Sequence, residues 1–348
     1  MINLSNTNIS HSFYPGIDLT GIRLGVGSKA GGVPSEPVFD PSSFDQAWTV
    51  TGKTNEDSDR ATVTNLTGNG NDLVLSNFLF AENSGYGSYI TDFTTWGTNS
   101  NVTVIQRNKS RIELSSTGTG GMYHSLESLS LWTDILRVKV SNLEGKVGFR
   151  YLLDGVFIIV KSTETDAILE IKRSEIPSEA TSASFFFAAA GSAIIEQIPD
   201  YEGYLVTDGV DDKIYSSPLS WGEDWTMVGN WKSAENTNKN SGIVAPNNLF
   251  VYIRTNGYTV YVRRTNSGTS ILANQMLAIC SDGRIYDQDW MEYKVTPSIN
   301  NNIIPIQIGF HSNEYCKMAF KNLAIYNRVL TKDQCIKAYD YLQTLKEK

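Results

Sequence analysis

Three carboxylates near residue 290 are the side chains whose types and spacing come closest to an active site. They lie in the segment Asp287-Gln-Asp289-Trp-Met-Glu292. A retaining glycoside hydrolase needs two carboxyl groups, a nucleophile and an acid, on either side of the bond it cleaves. Here the carboxylates directly follow the sequence SDGRIY, in which Asp-Gly favours a tight hairpin turn. We therefore predict polar groups around a hairpin, and no catalytic residues.

Histidine and cysteine do not form a catalytic or metal-binding pattern. The residues are His11, His124 and His311, and Cys280, Cys316 and Cys335. No histidine lies in a recognisable motif with a nucleophile. The cysteines lack metal-ligand spacing, and an odd number of widely spaced cysteines is not a disulfide framework. We predict buried, inert thiols, folding in a reducing cytoplasm, and no metal or cofactor.

Aromatic residues in the second half of the chain could bind a carbohydrate, because sugar sites combine aromatic faces with a few polar groups. The candidate ligand-binding residues are Tyr252, Tyr258, Tyr261 and Trp290, and Trp221, Trp225 and Trp231 lie nearby in sequence. The alternative is that these aromatics belong to the core or to subunit contacts, where Tyr and Trp are enriched. We expect Trp225 and Trp231 in the core, and Tyr252 and Tyr261 at the surface.

Acidic residues cluster around a glycine turn at Asp208, Asp211 and Asp212, and Asp72 could join them if its segment lies close. Calcium prefers several clustered oxygen ligands, so the group is a candidate cation site. Asp in such a turn more often accepts hydrogen bonds from the backbone. We predict the backbone role.

Strict alternation of apolar and polar residues recurs between residues 46 and 330. It is clearest in LRVKV (136–140), KVGFRY (146–151), YTVYVRR (258–264) and IIPIQIGF (303–310). Strands with this period are half-buried, and Asn/Gly/Asp turns between them are typical of antiparallel sandwiches. The chain is therefore predicted to be mainly β.

A single helix is predicted at the C-terminus. Thr331 and Gln334 have the spacing of a capping box. Apolar residues then recur at helical spacing, at Ile336, Tyr339, Leu342 and Leu345. We expect a short helix packed on a β body.

The charge balance limits the possible partners. The net charge is −8 and the pI is about 5.0, whereas nucleic-acid binding needs a concentrated basic face. The most apolar run, ASFFFAAAGSAII, is too short to span a bilayer, and the N-terminus has no secretory signal pattern. We expect neither nucleic-acid binding nor membrane insertion.

The first 45 residues are rich in Gly, Pro and Ser and have no sustained periodicity. One reading is a flexible leader. The other is an extended arm that orders against a partner, because apolar residues such as Phe13, Ile17 and Leu24 are more frequent than in disordered tails.

Three segments resemble the concanavalin A-like (laminin G-like) jelly-roll domains. LTGNGNDLVL (66–75) and LVTDGVDDKI (205–214) resemble that family's first strands, and residues 318–342 resemble its closing strand and helix. The resemblance implies a jelly roll over 46–87 and 201–348. Residues 88–200 would then be an inserted, carbohydrate-module-like β-sandwich, preceded by the arm of residues 1–45. Hydrolases of this fold use an E-x-D-x-x-E motif, from which Asp287 departs at the first position.

The layout is also similar to virion proteins of crAss-like phages of Bacteroides, through residues 68–87 and the order of the domains. This resemblance implies a non-enzymatic structural protein: a head fibre, tail fibre or capsid-surface component. It would be made in the bacterial cytoplasm and displayed on the virion surface. The arm would attach it to other virion proteins, and it would form a homo-oligomer (dimer or trimer) and contact host glycans. The alternative is a bacterial carbohydrate-binding protein or glycoside hydrolase of concanavalin A-like fold.

Overall fold

The computed structural model describes residues 38–347 with internal gaps. The residues outside it are 1–37, 130–131, 133, 220–221, 235–241, 246–248, 255–256, 262–268, 272–274, 297–304, 312–313 and 348. For strand residues 244–245, 249–254, 257–261, 269–270 and 311, the backbone is described and the side chains are not. Most of the predicted arm, and Trp221, therefore lie outside the described residues.

The described part of the chain is mainly β, as predicted, and all its strand pairs are antiparallel. In chain order the strands are β1 (Gln46–Thr49), β2 (Thr62–Val63), β3 (Leu73–Ser76), β4 (Gly85–Tyr86), β5 (Gly97–Thr98), β6 (Val102–Arg107), β7 (Arg111–Ser116), β8 (Gly120–Ser125), β9 (Ile135–Glu144), β10 (Val147–Leu153), β11 (Val156–Thr163), β12 (Ala167–Lys172), β13 (Ser182–Phe187), β14 (Gly191–Gln197), β15 (Leu205–Val206), β16 (Lys213–Pro218), β17 (Thr226–Ser233), β18 (Gly242–Ala245), β19 (Leu249–Arg254), β20 (Gly257–Tyr261), β21 (Thr269–Ile271), β22 (Gln275–Cys280), β23 (Arg284–Asp287), β24 (Glu292–Lys294), β25 (Pro305–Ile308), β26 (Phe310–His311), β27 (Glu314–Tyr315) and β28 (Met318–Tyr326). The helix α1 (Lys332–Thr344) follows, and short 3-10 turns lie at Phe93–Thr95 and Arg173–Glu175.

A larger sandwich is built from two eight-stranded sheets, β24-β23-β22-β17-β28-β15-β4 with β1 also on β28, and β2-β3-β16-β25-β18-β19-β20-β21. Its core combines side chains from residues 48–86 with side chains from residues 205–325. Trp225 and Trp231 are fully buried in it, as predicted. This core therefore forms only when two distant parts of the chain meet.

A smaller sandwich is built from one continuous stretch of chain. Its sheets are β11-β10-β13-β8-β5 and β12-β9-β14-β7-β6, and its core side chains all lie between residues 90 and 195. Aromatic rings fill the centre: the Phe149 and Phe185 centroids are 5.0 Å apart, and Trp96 lies 5.5 Å from Phe185. The predicted alternation holds here, because Leu136 and Val138 are buried while Lys139 is exposed.

The two halves of the GNGND/DGVDD sequence pattern meet in the larger sandwich. Strand β3 pairs with β16, with Leu75 opposite Ile214. Beyond the strand ends, the Asn77 side-chain amide donates to the Asp211 carbonyl at 3.0 Å. The smaller sandwich thus occupies the chain between two segments that are neighbours in space.

The chain enters and leaves the smaller sandwich through two segments that bond to each other. The Gly87 N–H donates to the Tyr204 carbonyl at 2.8 Å, and the Tyr201 N–H donates back to Gly87 at 2.9 Å. Gly87 has φ +103°, and a Cβ there would lie 2.7 Å from Pro199 Cβ, so only glycine fits without strain. These two bonds hold the entering and leaving segments, which we call the crossing segments, against each other.

Helix α1 begins at the predicted capping box. Gln334 N–H donates to Thr331 Oγ1 at 3.3 Å, and Thr331 N–H donates to Gln334 Oε1 at 2.9 Å. Its buried residues are Cys335, Ala338 and Leu342, so only Leu342 of the predicted apolar series is fully buried. The helix packs on β17 and β28, and this contact sets the buried face. No helix in the described part of the chain is long and apolar enough to cross a bilayer.

Candidate functional site

A cleft of about 450 Å³ lies where the two sandwiches meet. Its lining residues are Lys53, Thr54, Tyr86, Gly87, Tyr89, Lys139, Glu196, Gln197, Ile198, Pro199, Glu202, Gly203 and Tyr204. The larger sandwich supplies one wall, strands β9 and β14 supply the other, and the two crossing segments supply the rest. A cleft of this volume with mixed apolar and polar lining can hold a small ligand.

Three tyrosines give the cleft its aromatic character. The Tyr86 hydroxyl donates to the Arg60 carbonyl at 2.9 Å, and the Tyr204 hydroxyl donates to Asn230 Oδ1 at 3.0 Å. Tyr89 lies across the backbone of Gly87, where a Cβ would lie 3.3 Å from Tyr89 Cε2. Burial raises the pKa of all three phenols. The hydroxyls therefore stay protonated at neutral pH, and hydrogen bonds position the Tyr86 and Tyr204 rings.

Charged side chains of both signs surround the rings. Lys139 and Glu196 are exposed and lie opposite each other on β9 and β14. On the other wall the buried Lys53 ammonium is 2.9 Å from Asp59 Oδ2 and 3.3 Å from Glu347 Oε1. Because two carboxylates already surround Lys53, the cleft does not present a concentrated positive charge to a ligand.

Lysines also hold Tyr204 from outside the cleft lining. The Lys232 ammonium lies 4.6 Å from the Tyr204 ring centroid and 5.1 Å from that of Tyr201, and the Lys321 ammonium lies 5.9 Å from Tyr204. Burial lowers the pKa of Lys232. Cation–π contacts of this kind are attractive, and they fix the orientation of the Tyr204 ring.

The predicted glycan-binding residues are divided between the two sheets of the larger sandwich, with the three tyrosines on β19 and β20. Tyr258 pairs with the buried Ile271, and Tyr252 pairs with Thr259 and Gly242. Since neighbouring positions along a strand belong to opposite faces of a sheet, the positions of Tyr252 and Tyr258 belong to opposite faces. Tyr261 shares the face of Tyr252 by register. The side chains of these tyrosines lie outside the described part of the structure, so their role stays a prediction.

Trp290 belongs to the other sheet of the larger sandwich, in the β23–β24 turn. It is half-buried, with its ring centroid 6.1 Å from Tyr286 and 5.8 Å from Tyr339 of α1. Its contacts are therefore with the helix and its own sheet, away from the strands that carry the three tyrosines.

The carboxylates of the 287–292 segment form part of their own hairpin. The buried Asp287 carboxylate accepts from the N–H groups of Asp289 and Met291, both at 2.9 Å, and from the Tyr293 hydroxyl at 2.9 Å. Glu292 is exposed and accepts from the Tyr286 hydroxyl at 3.2 Å. These bonds place Asp287 and Glu292 in the hairpin that the sequence predicts, and the absence of catalysis stays a prediction.

Carboxylates in the acidic turn accept hydrogen bonds from backbone N–H groups, as the sequence predicts. Asp208 Oδ1 accepts from the Val210 N–H at 2.7 Å, and Asp212 Oδ2 accepts from the Asp208 N–H at 2.7 Å. Asp212 Oδ1 accepts from the buried Ser84 hydroxyl at 3.1 Å. Burial raises the pKa of Asp212 to about 7. Carboxylate oxygens of Asp208, Asp211 and Asp212 lie within 4.8 Å of one another, and the absence of a metal there stays a prediction.

Asp72 does not join this cluster through any described bond. Its carboxylate accepts from the Asn65 N–H at 2.8 Å and so closes its own turn. The three cysteine side chains are buried, as predicted. His124 contacts Thr95 Oγ1 and the Ser125 carbonyl, both at 2.9 Å, which is a structural role. His11 and the His311 side chain lie outside the described residues.

Sequence reasoning missed the cleft, although a signal for it exists. Tyrosines three residues apart mark both crossing segments, Tyr86 and Tyr89 in YGSY and Tyr201 and Tyr204 in YEGY. Such paired tyrosines at both ends of an insertion indicate a shared surface at the junction.

Comparison with known proteins adds little to this geometry. No protein-family model matches the chain, and no curated protein matches it. Among solved structures, it is similar to the N-terminal CBM22-1-CBM22-2 tandem domain of Xyn10C from Paenibacillus barcinonensis. That match has a TM-score of 0.24 and 11% identity, and covers 70% of this chain and 99% of the other. A TM-score this low carries no inference about function.

Proposed function

We propose that the protein is a non-enzymatic carbohydrate-binding protein whose ligand lies in the cleft between the two sandwiches. The observation that carries the proposal is the combination of two partly exposed tyrosines, Tyr89 and Tyr204, with exposed charged groups of both signs in about 450 Å³. A sugar ring offers C–H faces that stack on aromatic rings, and hydroxyls that both donate and accept hydrogen bonds. Tyr89, Lys139 and Glu196 supply these complementary groups.

The balance of charge favours a neutral, polyhydroxylated ligand over an anion. Glu196 and Glu202 offset Lys139 in the lining, and Lys53 is already paired. A phosphate or nucleotide would meet two carboxylates in the same cleft, which opposes its binding.

The finer part of the proposal concerns where this binding takes place. We propose a concanavalin A-like virion component that is displayed on a phage surface and contacts host glycans. Its support is the sequence resemblance over residues 68–87 and the domain order. In that setting the arm of residues 1–45 would attach to other virion proteins.

A glycan array probed with the full chain tests the proposal, together with an assay for released sugar. We expect binding without release. Tyr89→Ala should weaken the binding by roughly tenfold, because one stacking ring is lost. Tyr123→Ala is the matched control, since Tyr123 is exposed on β8 and does not line the cleft.

Three outcomes would count against the proposal. No binding to any glycan on the array would contradict the proposal. Binding that survives Tyr89→Ala and is lost in Tyr252→Ala or Tyr261→Ala would move the site to the edge of the larger sandwich. Released sugar, abolished by Asp287→Asn or Glu292→Gln, would make the protein a hydrolase.

A further inference from the structure

Strand β11 of the smaller sandwich exposes an unusual run of apolar side chains. Val156, Phe157, Ile158 and Ile159 are 61%, 50%, 38% and 56% exposed. Among the described strands it pairs on one side only, with β10, and so lies at the edge of its sheet. Four consecutive exposed apolar residues on an unpaired edge are rare in monomers, because such an edge is a template for pairing with another strand. We name Val156–Ile159 the β11 edge.

The other edges of the smaller sandwich are protected against such pairing. Strand β5 is only two residues long, β6 has a register shift and ends in Gln106 and Arg107, and β12 alternates its apolar residues with Glu170 and Lys172. Short length, irregularity and charge are the usual means of blocking an edge. The β11 edge has none of these protections; the first irregularity in β11 is the register shift that follows Ile159.

Apolar groups project from both faces of this strand. Ile158 pairs with the buried Tyr151, so Val156 and Ile158 belong to the inner face. Phe157 belongs to the outer face, where the Arg150 guanidinium carbon lies 3.8 Å from its ring centroid. A ligand lying on one face would leave the other exposed. An added strand covers both faces and satisfies the outward backbone groups.

Charges at the two ends of the strand point to a second copy as the partner. Asp154 lies in the turn before β11 and Lys161 lies near its far end; both are exposed, and neither has an ion-pair partner among the described residues. Two copies of β11 paired antiparallel bring Asp154 of each copy beside Lys161 of the other. Parallel pairing would bring like charges together.

We propose that the β11 edge pairs antiparallel with the β11 edge of a second copy, across a two-fold axis. The two five-stranded sheets then form one continuous sheet, and the interface is isologous. A single added strand is a small interface, so the dimer forms only at high protein concentration. This inference does not depend on the proposed sugar binding, although a dimer would present two clefts.

Sedimentation velocity of the full chain over a wide concentration range is the test. Ile159→Lys should weaken dimerisation by at least about tenfold, because it places a charge in the interface. Ile168→Lys is the matched control: Ile168 is 59% exposed and lies on β12, the protected edge. The charge arrangement is tested by Lys161→Glu, with Lys172→Glu on β12 as its control. Lys161→Glu should weaken the dimer, and added salt should weaken the dimer of that variant less than it weakens the wild-type dimer.

The expected result is a concentration-dependent dimer that Ile159→Lys and Lys161→Glu weaken and both controls leave unchanged. Hydrogen exchange at residues 156–159 should also slow as the concentration rises. A monomer at every concentration would overturn the proposal, and so would a trimer, because one edge pairs with only one other. Equal effects of Ile159→Lys and Ile168→Lys, or a stronger dimer in Lys161→Glu, would overturn it too.

Discussion

The two sandwiches solve the problem of building a core in different ways. The smaller one takes every core residue from one continuous stretch and fills its centre with aromatic rings. The larger one joins two distant segments. It buries the Asp212 carboxylate where the segments meet and the Asp287 carboxylate in a hairpin turn. Segments that must find each other over a long interval are tied by buried hydrogen bonds, which add specificity and also make the fold sensitive to pH.

The largest expected effect is on the stability of the smaller sandwich, and it distinguishes that core from the core of the larger one. Phe149→Ala should destabilise the smaller sandwich by about 3–5 kcal/mol, because a buried ring contacting Phe185 and Trp132 is removed. Hydrogen exchange should show the loss of protection concentrated between residues 90 and 198. The half-exposed Phe157 supplies the control, Phe157→Ala, with a much smaller effect. Equal loss of protection in both sandwiches would mean that the two cores unfold as one unit.

The second effect is a pH dependence of the stability of the larger sandwich. The folded state holds the Asp212 proton up to about pH 7, above the usual pKa of 3.8, so the folded state binds more protons than the unfolded state between these values. Stability from this group is therefore full at low pH and falls as pH rises from about 4 through about 7, by a total on the order of 3 kcal/mol. Denaturant unfolding across this range measures it.

Asp212→Asn should flatten that pH dependence, since the amide does not ionise. Asp211→Asn, at an exposed position of the same turn, should leave the dependence in place. An unchanged pH profile in Asp212→Asn would assign the dependence to other groups.

The third effect concerns the junction. Gly87→Ala should cost roughly 1–3 kcal/mol, because it combines a positive φ with a Cβ placed 2.7 Å from Pro199. Gly155→Ala is the control: it has φ +79° in open space, so it carries the backbone strain without the clash. If both variants lose the same stability, the close packing of the crossing segments contributes nothing.

The smallest effect is on thiol chemistry. All three cysteines are buried in the larger sandwich or under α1, and the hydrogen bond with Cys280, together with burial, raises the pKa of the Cys335 thiol. A thiol reagent should therefore react only as the larger sandwich opens. Phe149→Ala should leave this rate unchanged while it destabilises the smaller sandwich. Fast reaction of the native protein would show that α1 detaches readily.

The local pattern of residues was enough to predict most single elements. Alternation in LRVKV predicted which side chains of β9 are buried, and the Thr331–Gln334 spacing predicted the start of α1. These features depend on neighbours within a few residues, so short segments of sequence contain them. The GNGND and DGVDD segments also looked like neighbouring strands, and strands β3 and β16 do pair.

Tertiary structure alone decided which faces are covered. The run VFII at the start of β11 has the composition of a buried strand. It is exposed because, among the described strands, only β10 pairs with β11. Helix α1 buries Cys335 and Ala338 where the sequence indicated Ile336 and Tyr339, because the contact with β17 and β28 sets its rotation. Tyr86, Tyr89 and Tyr204 meet in one cleft only because the crossing segments bond to each other. Sequence determined the elements, and the packing of distant segments decided the surfaces on which function depends.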